Sequence, residues 1–411
     1  MRRSTLSIST AALLVLVLSG SSCESGFEPI DFGAVAEEES EGTGTFSDFQ
    51  GSSSIANLQI ENGLTGSEFT IQINESDTDL VEGDIVSTGA GFSRFDTDGS
   101  QSELNEPFFG LRISDDILIT TPIGTNDLTA DIFIRTVECP NADIGFNFVN
   151  DISDGFNYDS ALEGLYGTLD FNATANAFTS TAEDNLFRGE SDDAITPRTL
   201  GNASCDNGTS RVLSGTDQDA TETSRYFYNN RAGLLTLDNN NATAARRLLA
   251  VQSSDTEFDL SNLTANNLEV ARAIVTDFTR ESNETITRGA RASCRFENDA
   301  ALGNITTCDL FVYTDLNDRG TSSATPDYVL RFDTENRSTA TNVFSAALDI
   351  TSPGEENTLA VDETGDLVCN IADNFDEQSL LFINCTGFVD VGVAAEIDRR
   401  GFSLYLRADQ N

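Results

Sequence analysis

The chain has no histidine, no lysine and no tryptophan, and its single methionine is residue 1. Each absence removes a kind of chemistry. Without histidine there is no Ser-His-Asp or Cys-His catalysis, no imidazole ligand for zinc and no histidine-held haem. Without lysine there is no Schiff-base or pyridoxal chemistry and no GxxxxGK[ST] phosphate loop. Long apolar runs are missing too. Ala11–Leu18 holds eight apolar residues, where a membrane-spanning helix needs roughly 18 or more. What survives is carboxylate chemistry, chiefly paired Asp/Glu hydrolysis of glycosides, together with metals held by oxygen ligands.

Positive charge is scarce and of one kind. All 23 basic residues are arginine, against 68 acidic residues, for a net charge of −45. Such a surface repels phosphate backbones and anionic headgroups, so nucleic acid is excluded as a partner and cations are the natural one. The same charge keeps an exported protein soluble, above all in a salty medium that screens its self-repulsion.

The N-terminus has the order of an export signal, predicted over residues 1–22. Arg2 and Arg3 precede the apolar run, and the small residues Ser19, Gly20, Ser21 and Ser22 follow it. Cys23 comes next. The segment resembles a bacterial lipoprotein signal, in which the cysteine after the small residues becomes the acylated N-terminus. Gly20 stands where that pattern usually has leucine, and cleavage after Ser21 is the alternative. The resemblance implies lipidation at Cys23, an outer-membrane or cell-surface location, and membrane contact only through that anchor; secretion follows if the anchor is not made. Residues 23–45, acidic and rich in Gly and Thr, read as a flexible tether. The alternation of Ile30, Phe32, Ala34 and Ala36 would also let this tail pair as an edge strand.

From Phe46 onward, short period-2 runs recur between Gly, Asn, Asp and Thr: "FTIQIN" (69–74), "DILITT" (116–121), "ADIFIRTV" (130–137), "DLFVYTD" (309–315) and "DYVLRFD" (327–333). This is the pattern of strands. "NNLEVARAIVTDF" (266–278) fits a helix face and a strand face equally. Three segments, 167–178, 235–248 and 330–344, share an apolar pair closed by Asp (Asp170, Asp238, Asp333) and then Asn, Thr and Ala, the chemistry of a hairpin turn. The polar stretch 181–224 marks the expected boundary between a β-domain over 46–200 and a second over 201–411. The predicted fold is all-β: two antiparallel β-sandwich or barrel-like domains with three disulfides.

Those bridges follow from parity. Setting Cys23 aside leaves Cys139, Cys205, Cys294, Cys308, Cys369 and Cys385, an even number in an exported chain. "CRFENDAALGNITTC" and "CNIADNFDEQSLLFINC" each place two cysteines across a polar turn, which predicts Cys294–Cys308 and Cys369–Cys385; Cys139–Cys205 remains by elimination. There is no CxxC pair, so zinc is the poorer reading.

Candidate sites are few. Asp315, Asn317 and Asp318 would suit a loose Ca²⁺ site, although the segment fails the EF-hand spacing; no other cofactor is expected. Tyr226 and Tyr228 in "RYFYNN" (225–230) share a strand face that serves either core packing or ligand stacking. Among so many acidic residues a glycosidase pair carries no signal. The expectation is therefore an exported, lipid-anchored surface protein with a structural or adhesive role, no catalysis, and other surface proteins or its own copies as partners. A Ca²⁺-dependent carbohydrate- or ligand-binding module is the first alternative, and an envelope glycoside hydrolase with paired carboxylates the second.

Overall fold

The computed structural model describes twenty-five strands between Gly44 and Asp409 and some of the turns that join them. Residues 1–43 and most longer connections lie outside the described residues, and with them the signal, Cys23, the tether and the Asp315, Asn317, Asp318 cluster. The described part is all-β and antiparallel, as the alternating runs predict.

The first eight strands close into a barrel in chain order. They are β1 (Gly44–Gln50), β2 (Ser54–Ile60), β3 (Ser67–Ile73), β4 (Leu80–Gly89), β5 (Phe92–Thr97), β6 (Phe108–Arg112), β7 (Ile117–Pro122) and β8 (Asp131–Ile134). Ser47 opposite Ile134 joins β1 to β8. A second closed barrel contains β9 (Ile144–Asn150), β10 (Tyr166–Asn172), β11 (Ala177–Glu183) and β12 (Arg198–Cys205). It is completed by β13 (Leu213–Asp217), β14 (Thr223–Asn229), β15 (Leu234–Asn239) and β16 (Arg246–Gln252), with β16 returning to β9.

The third sheet holds β17 (Ala271–Glu281), β18 (Glu284–Cys294), β19 (Phe296–Asp299), β20 (Ile305–Tyr313) and β21 (Tyr328–Ala340). It continues through β22 (Val343–Thr351), β23 (Glu363–Ala372), β24 (Leu380–Val391) and β25 (Asp398–Asp409). Its order runs from β18 through β17 and β25 round to β20 and β19, and β18 also pairs with β20. One register covers both pairings with β20. Arg291 faces Tyr313 and Ser293 faces Phe311, and Phe296 then faces Cys308, each step forward meeting one step back. β18 and β19 thus act as one strand interrupted at residue 295, and the sheet nearly closes as a third, barrel-like meander.

Eight strands leave an interior that side chains can fill, and here Phe, Leu and Ile fill it. In the first barrel, Leu58, Ile60, Phe69, Ile71, Ile85, Phe95, Leu118 and Phe133 form one buried cluster. Residues on strands all around a closed barrel can touch only through its lumen. Phe95 stacks on Phe108 at 4.4 Å between ring centroids, and Phe69 meets Phe95 edge-on at 5.3 Å. Gly83 admits the close neighbouring strand, since a Cβ there would sit 2.0 Å from the carbonyl oxygen of Asp96. In the second barrel, Phe146, Phe148, Leu169, Phe171, Phe178, Tyr226, Tyr228 and Ala250 play the same part. An apolar lumen is the reverse of a membrane barrel, whose interior is polar. No helix among the described residues is long and apolar enough to cross a membrane.

The structure refines several expectations. Residues 271–281 are strand, paired on both sides with β18 and β25. Segments 167–178 and 235–248 are hairpins, β10–β11 and β15–β16. In the third, the strand runs on past Asp333 to Ala340 before it turns. The sheets change between 134 and 144 and between 252 and 271, while position 200/201 lies inside β12. Among the described residues one disulfide is seen with both its partners, Cys369–Cys385, a cross-strand pair of β23 and β24 with Cα atoms 4.0 Å apart, where three were expected. Cys139 and Cys308 are also disulfide-bonded. Cys205 closes β12 and Cys294 closes β18, and their side chains lie outside the described residues.

Candidate functional site

Strands β6, β7 and β8 are apolar on both faces, which a barrel with a water-facing exterior does not require. In β7, Leu118 points into the lumen cluster while Ile117 and Ile119 lie on the outer face. The outer faces of the three barrels meet there. One cluster joins Phe92, Phe109, Leu111, Ile119, Ile132 and Ile134 of the first barrel to Phe227, Leu234, Leu249 and Val251 of the second. Ala372, Phe382 and Tyr405 of the third complete it. At roughly 1.5–3 kcal/mol for each large apolar side chain removed from water, this shared core rivals either lumen as a source of stability.

Polar groups then fix the register of the junction. The turn from β6 to β7 is pushed into it: Ile113, Ser114 and Asp116 are 0%, 2% and 0% exposed. The turn holds its own shape, with the amides of Ile113 and Ser114 both donating to the Ile117 carbonyl and the Asp116 amide donating to Ser114 Oγ. From the second barrel, Asn229 Nδ2 donates to Asp116 Oδ2 at 3.1 Å and to the carbonyl of Arg135 at 2.6 Å. Arg135 returns to the turn twice. Its amide donates to the Asp116 carbonyl at 2.8 Å, and its guanidinium lies 3.6 Å from Asp116 Oδ1. From the third barrel, Arg407 Nη1 donates to the carbonyl of Arg112 at 2.8 Å, and Arg112 pairs with Asp115.

A second clamp joins the third barrel to the second. Asn370 Nδ2 donates to the carbonyls of Asn147 and Leu249, each at 3.2 Å. Those carbonyls belong to β9 and β16, the strands whose pairing closes the second barrel. Asn370 therefore staples that seam from outside. Asn147 adds a bond from Nδ2 to Ser253 Oγ just beyond it, at 3.2 Å.

The sequence-predicted residues fall elsewhere. Tyr226 and Tyr228 are 0% and 4% exposed in the second lumen, where Tyr226 stacks on Phe178 at 4.4 Å. They are core, so the ligand-stacking face is corrected. Phe227 points the opposite way into the junction, as strand alternation requires. Cys369 and Cys385 are fully buried. Among the described residues no three His, Cys, Asp or Glu side chains come together as a metal site. Asp116, Arg135, Asn229, Asn370 and Arg407 were not singled out in the sequence, where they read as ordinary turn and strand polar residues. The available signal was the doubly apolar run of β6–β8, which marks a barrel exterior that must be covered.

No protein-family model matches the chain, and no curated protein does. Solved structures show a faint likeness. A transferrin binding protein B mutant (Trp-176-Ala) from Haemophilus parasuis Hp5 aligns at 8% identity over 87% of this chain and 66% of that one, with a TM-score of 0.28. The isotype 1 transferrin binding protein B from serogroup B Neisseria meningitidis aligns at 9% identity with the same coverages and a TM-score of 0.29. The chain thus spans just under two thirds of the length of these proteins. Likeness at this level carries no argument about fold or function.

Proposed function

We propose that the chain is an exported cell-surface protein, anchored through acylated Cys23, that acts as a rigid non-catalytic framework with a structural or adhesive role. The observation that carries this reading is the junction, where three barrels spend apolar outer faces on one another and lock the arrangement with Asp116, Asn229, Asn370 and Arg407. Filled lumens and a shared core suit a body that presents surfaces. The sequence adds the export signal and the lack of His and Lys. Closure of the first two sheets as barrels removes most of the free strand edge that another chain could extend, so partners, whether other surface proteins or further copies, meet chiefly loops and outer faces. With −45 charges, those contacts favour cationic groups.

Protease treatment of intact cells, followed by mass spectrometry, tests the reading. The expected result is cleavage of the chain on intact cells and a diacylglyceryl mass on Cys23. A chain protected until lysis, with an unmodified residue 22 or 23 at its N-terminus, would contradict it.

A further inference from the structure

The seam of the third sheet, where β18 meets β20, is short. Among the described residues the two strands share three register pairs, Arg291 to Ser293 with Tyr313 to Phe311, before β19 takes over opposite Cys308. On its other side β18 pairs with β17 along all eleven of its residues. β18 ends at Cys294 and β19 begins at Phe296, so the break in this composite strand falls beside a cysteine.

Following the register round the sheet identifies its inner face. Val312 faces Ala292, Ala292 faces Ala273, Ala273 faces Leu406, Leu406 faces Ile383 and Ile383 faces Ile371. The opposite face carries Ala372, Phe382 and Tyr405 into the junction, so this ring lines the inside. Residues two apart on a strand share a face. Cys294, Cys308, Cys369 and Cys385 each stand an even number of places from a member of the ring, which sets all four positions on the inner face.

Cys308 is fully buried and disulfide-bonded. A thiol on the inner face is reached from strands of the same sheet, and of the cysteines there Cys369 and Cys385 are joined to each other. One candidate remains. We infer that Cys308 is bonded to Cys294 and that this bond covalently closes the third sheet. Continuing the seam's register sets Cys294 level with Leu310, two residues along β20 from Cys308. Such diagonal neighbours lie about 7–8 Å apart at Cα in a regular ladder, and a disulfide accepts up to about 6.8 Å; the break between β18 and β19 is where the ladder yields to the bond. From sequence the pair reads as a staple across one polar turn. In the fold it spans the seam itself, whereas Cys369–Cys385 lies directly across an unbroken ladder of eight pairs and closes nothing. In forming the bond, two thiols lose two protons and pass two electrons to a disulfide oxidant of the export compartment.

The bond rests on the export reading for its oxidising surroundings. Refolding the mature chain with a glutathione redox pair forms it whatever the native location, so the two can fail separately. In a chain without lysine, trypsin isolates the cysteines, Cys294 in Ala292–Arg295 and Cys308 in Phe296–Arg319. Mass spectrometry of the non-reduced digest is expected to find these peptides joined; Cys308 joined to Cys139, Cys205 or Cys23, or free, would overturn the inference. Hydrogen exchange tests the closure. The double variant Cys294→Ala/Cys308→Ala is expected to speed exchange at the amides of 291–293 and 311–313 by roughly tenfold or more, and Cys369→Ala/Cys385→Ala to leave them unchanged. Loss of folding in the first variant alone is the same result in the extreme. Seam exchange no faster in the first variant than in the second, or loss of folding in both, would contradict a closing role.

Discussion

Asp116 and Arg135 form one ion pair with unequal burial, 0% and 39% exposed at the side chain, and the two ends should respond differently to removal. Asp116→Ala takes one of its two acceptors from the buried Asn229 Nδ2, which keeps the Arg135 carbonyl, and is expected to cost roughly 1–3 kcal/mol. Arg135→Ala removes a half-exposed, solvent-screened partner and is expected to cost under about 1 kcal/mol. Urea unfolding of the two variants checks the order, and equal losses would place the carboxylate outside the interface. Gly83→Ala is a sharper case, because the added Cβ would meet a strand backbone that cannot move aside; a clear drop in Tm is expected. Legibility at this scale followed chemistry that spacing can express. Cys369 and Cys385 flank a polar turn, and they pair. Asp116 and Asn370 carry no such mark, because a polar residue in a turn or strand looks the same whether it meets water or a neighbouring barrel.

Among elements, the period-2 runs were legible because each strand alternates between lumen and exterior. β3, β7, β8, β20 and β21 all fall on segments read as strands. Residues 271–281 were ambiguous because apolar residues occupied both candidate faces. The neighbours of β17 explain why: its register partners in β25 include Leu406 and Tyr405, which lie on opposite faces of that strand. Both of those partners are fully buried. The disulfide between β23 and β24 closes a 16-residue separation inside the third barrel. Replacing both cysteines with alanine is expected to cost roughly 3 kcal/mol in the chain-entropy model, read as a lower denaturation midpoint. A loss well below that would mean that the unfolded chain already keeps Cys369 and Cys385 close without the bridge.

For the whole molecule, charge and packing oppose each other. A net charge of −45 repels itself over the Debye length, about 10 Å at 0.1 M salt and about 3 Å at 1 M. Tm is expected to rise across that range, and a flat response would show the charges to be dispersed enough not to matter. The organisation into three sheets was not legible. The polar stretch 181–224 suggested a division, yet its strands β12 and β13 are wall strands of the second barrel. The sheet changes themselves fall on 135–143 and 253–270, shorter connections than the polar stretch 181–224. The junction was hidden for a related reason, since a doubly apolar run such as that of β7 shows that both faces are covered but not which part of the chain covers the outer one.

Scanning calorimetry of the mature chain beside its Phe227→Ala variant tests most directly that the shared core makes one framework of three barrels. Phe227 lies in the junction rather than in any lumen, and its truncation is expected to cost about 3–5 kcal/mol. A single cooperative transition is expected in the parent, moved as a whole to lower temperature in the variant. Separate transitions in the parent, with only the second barrel's displaced by the substitution, would contradict it.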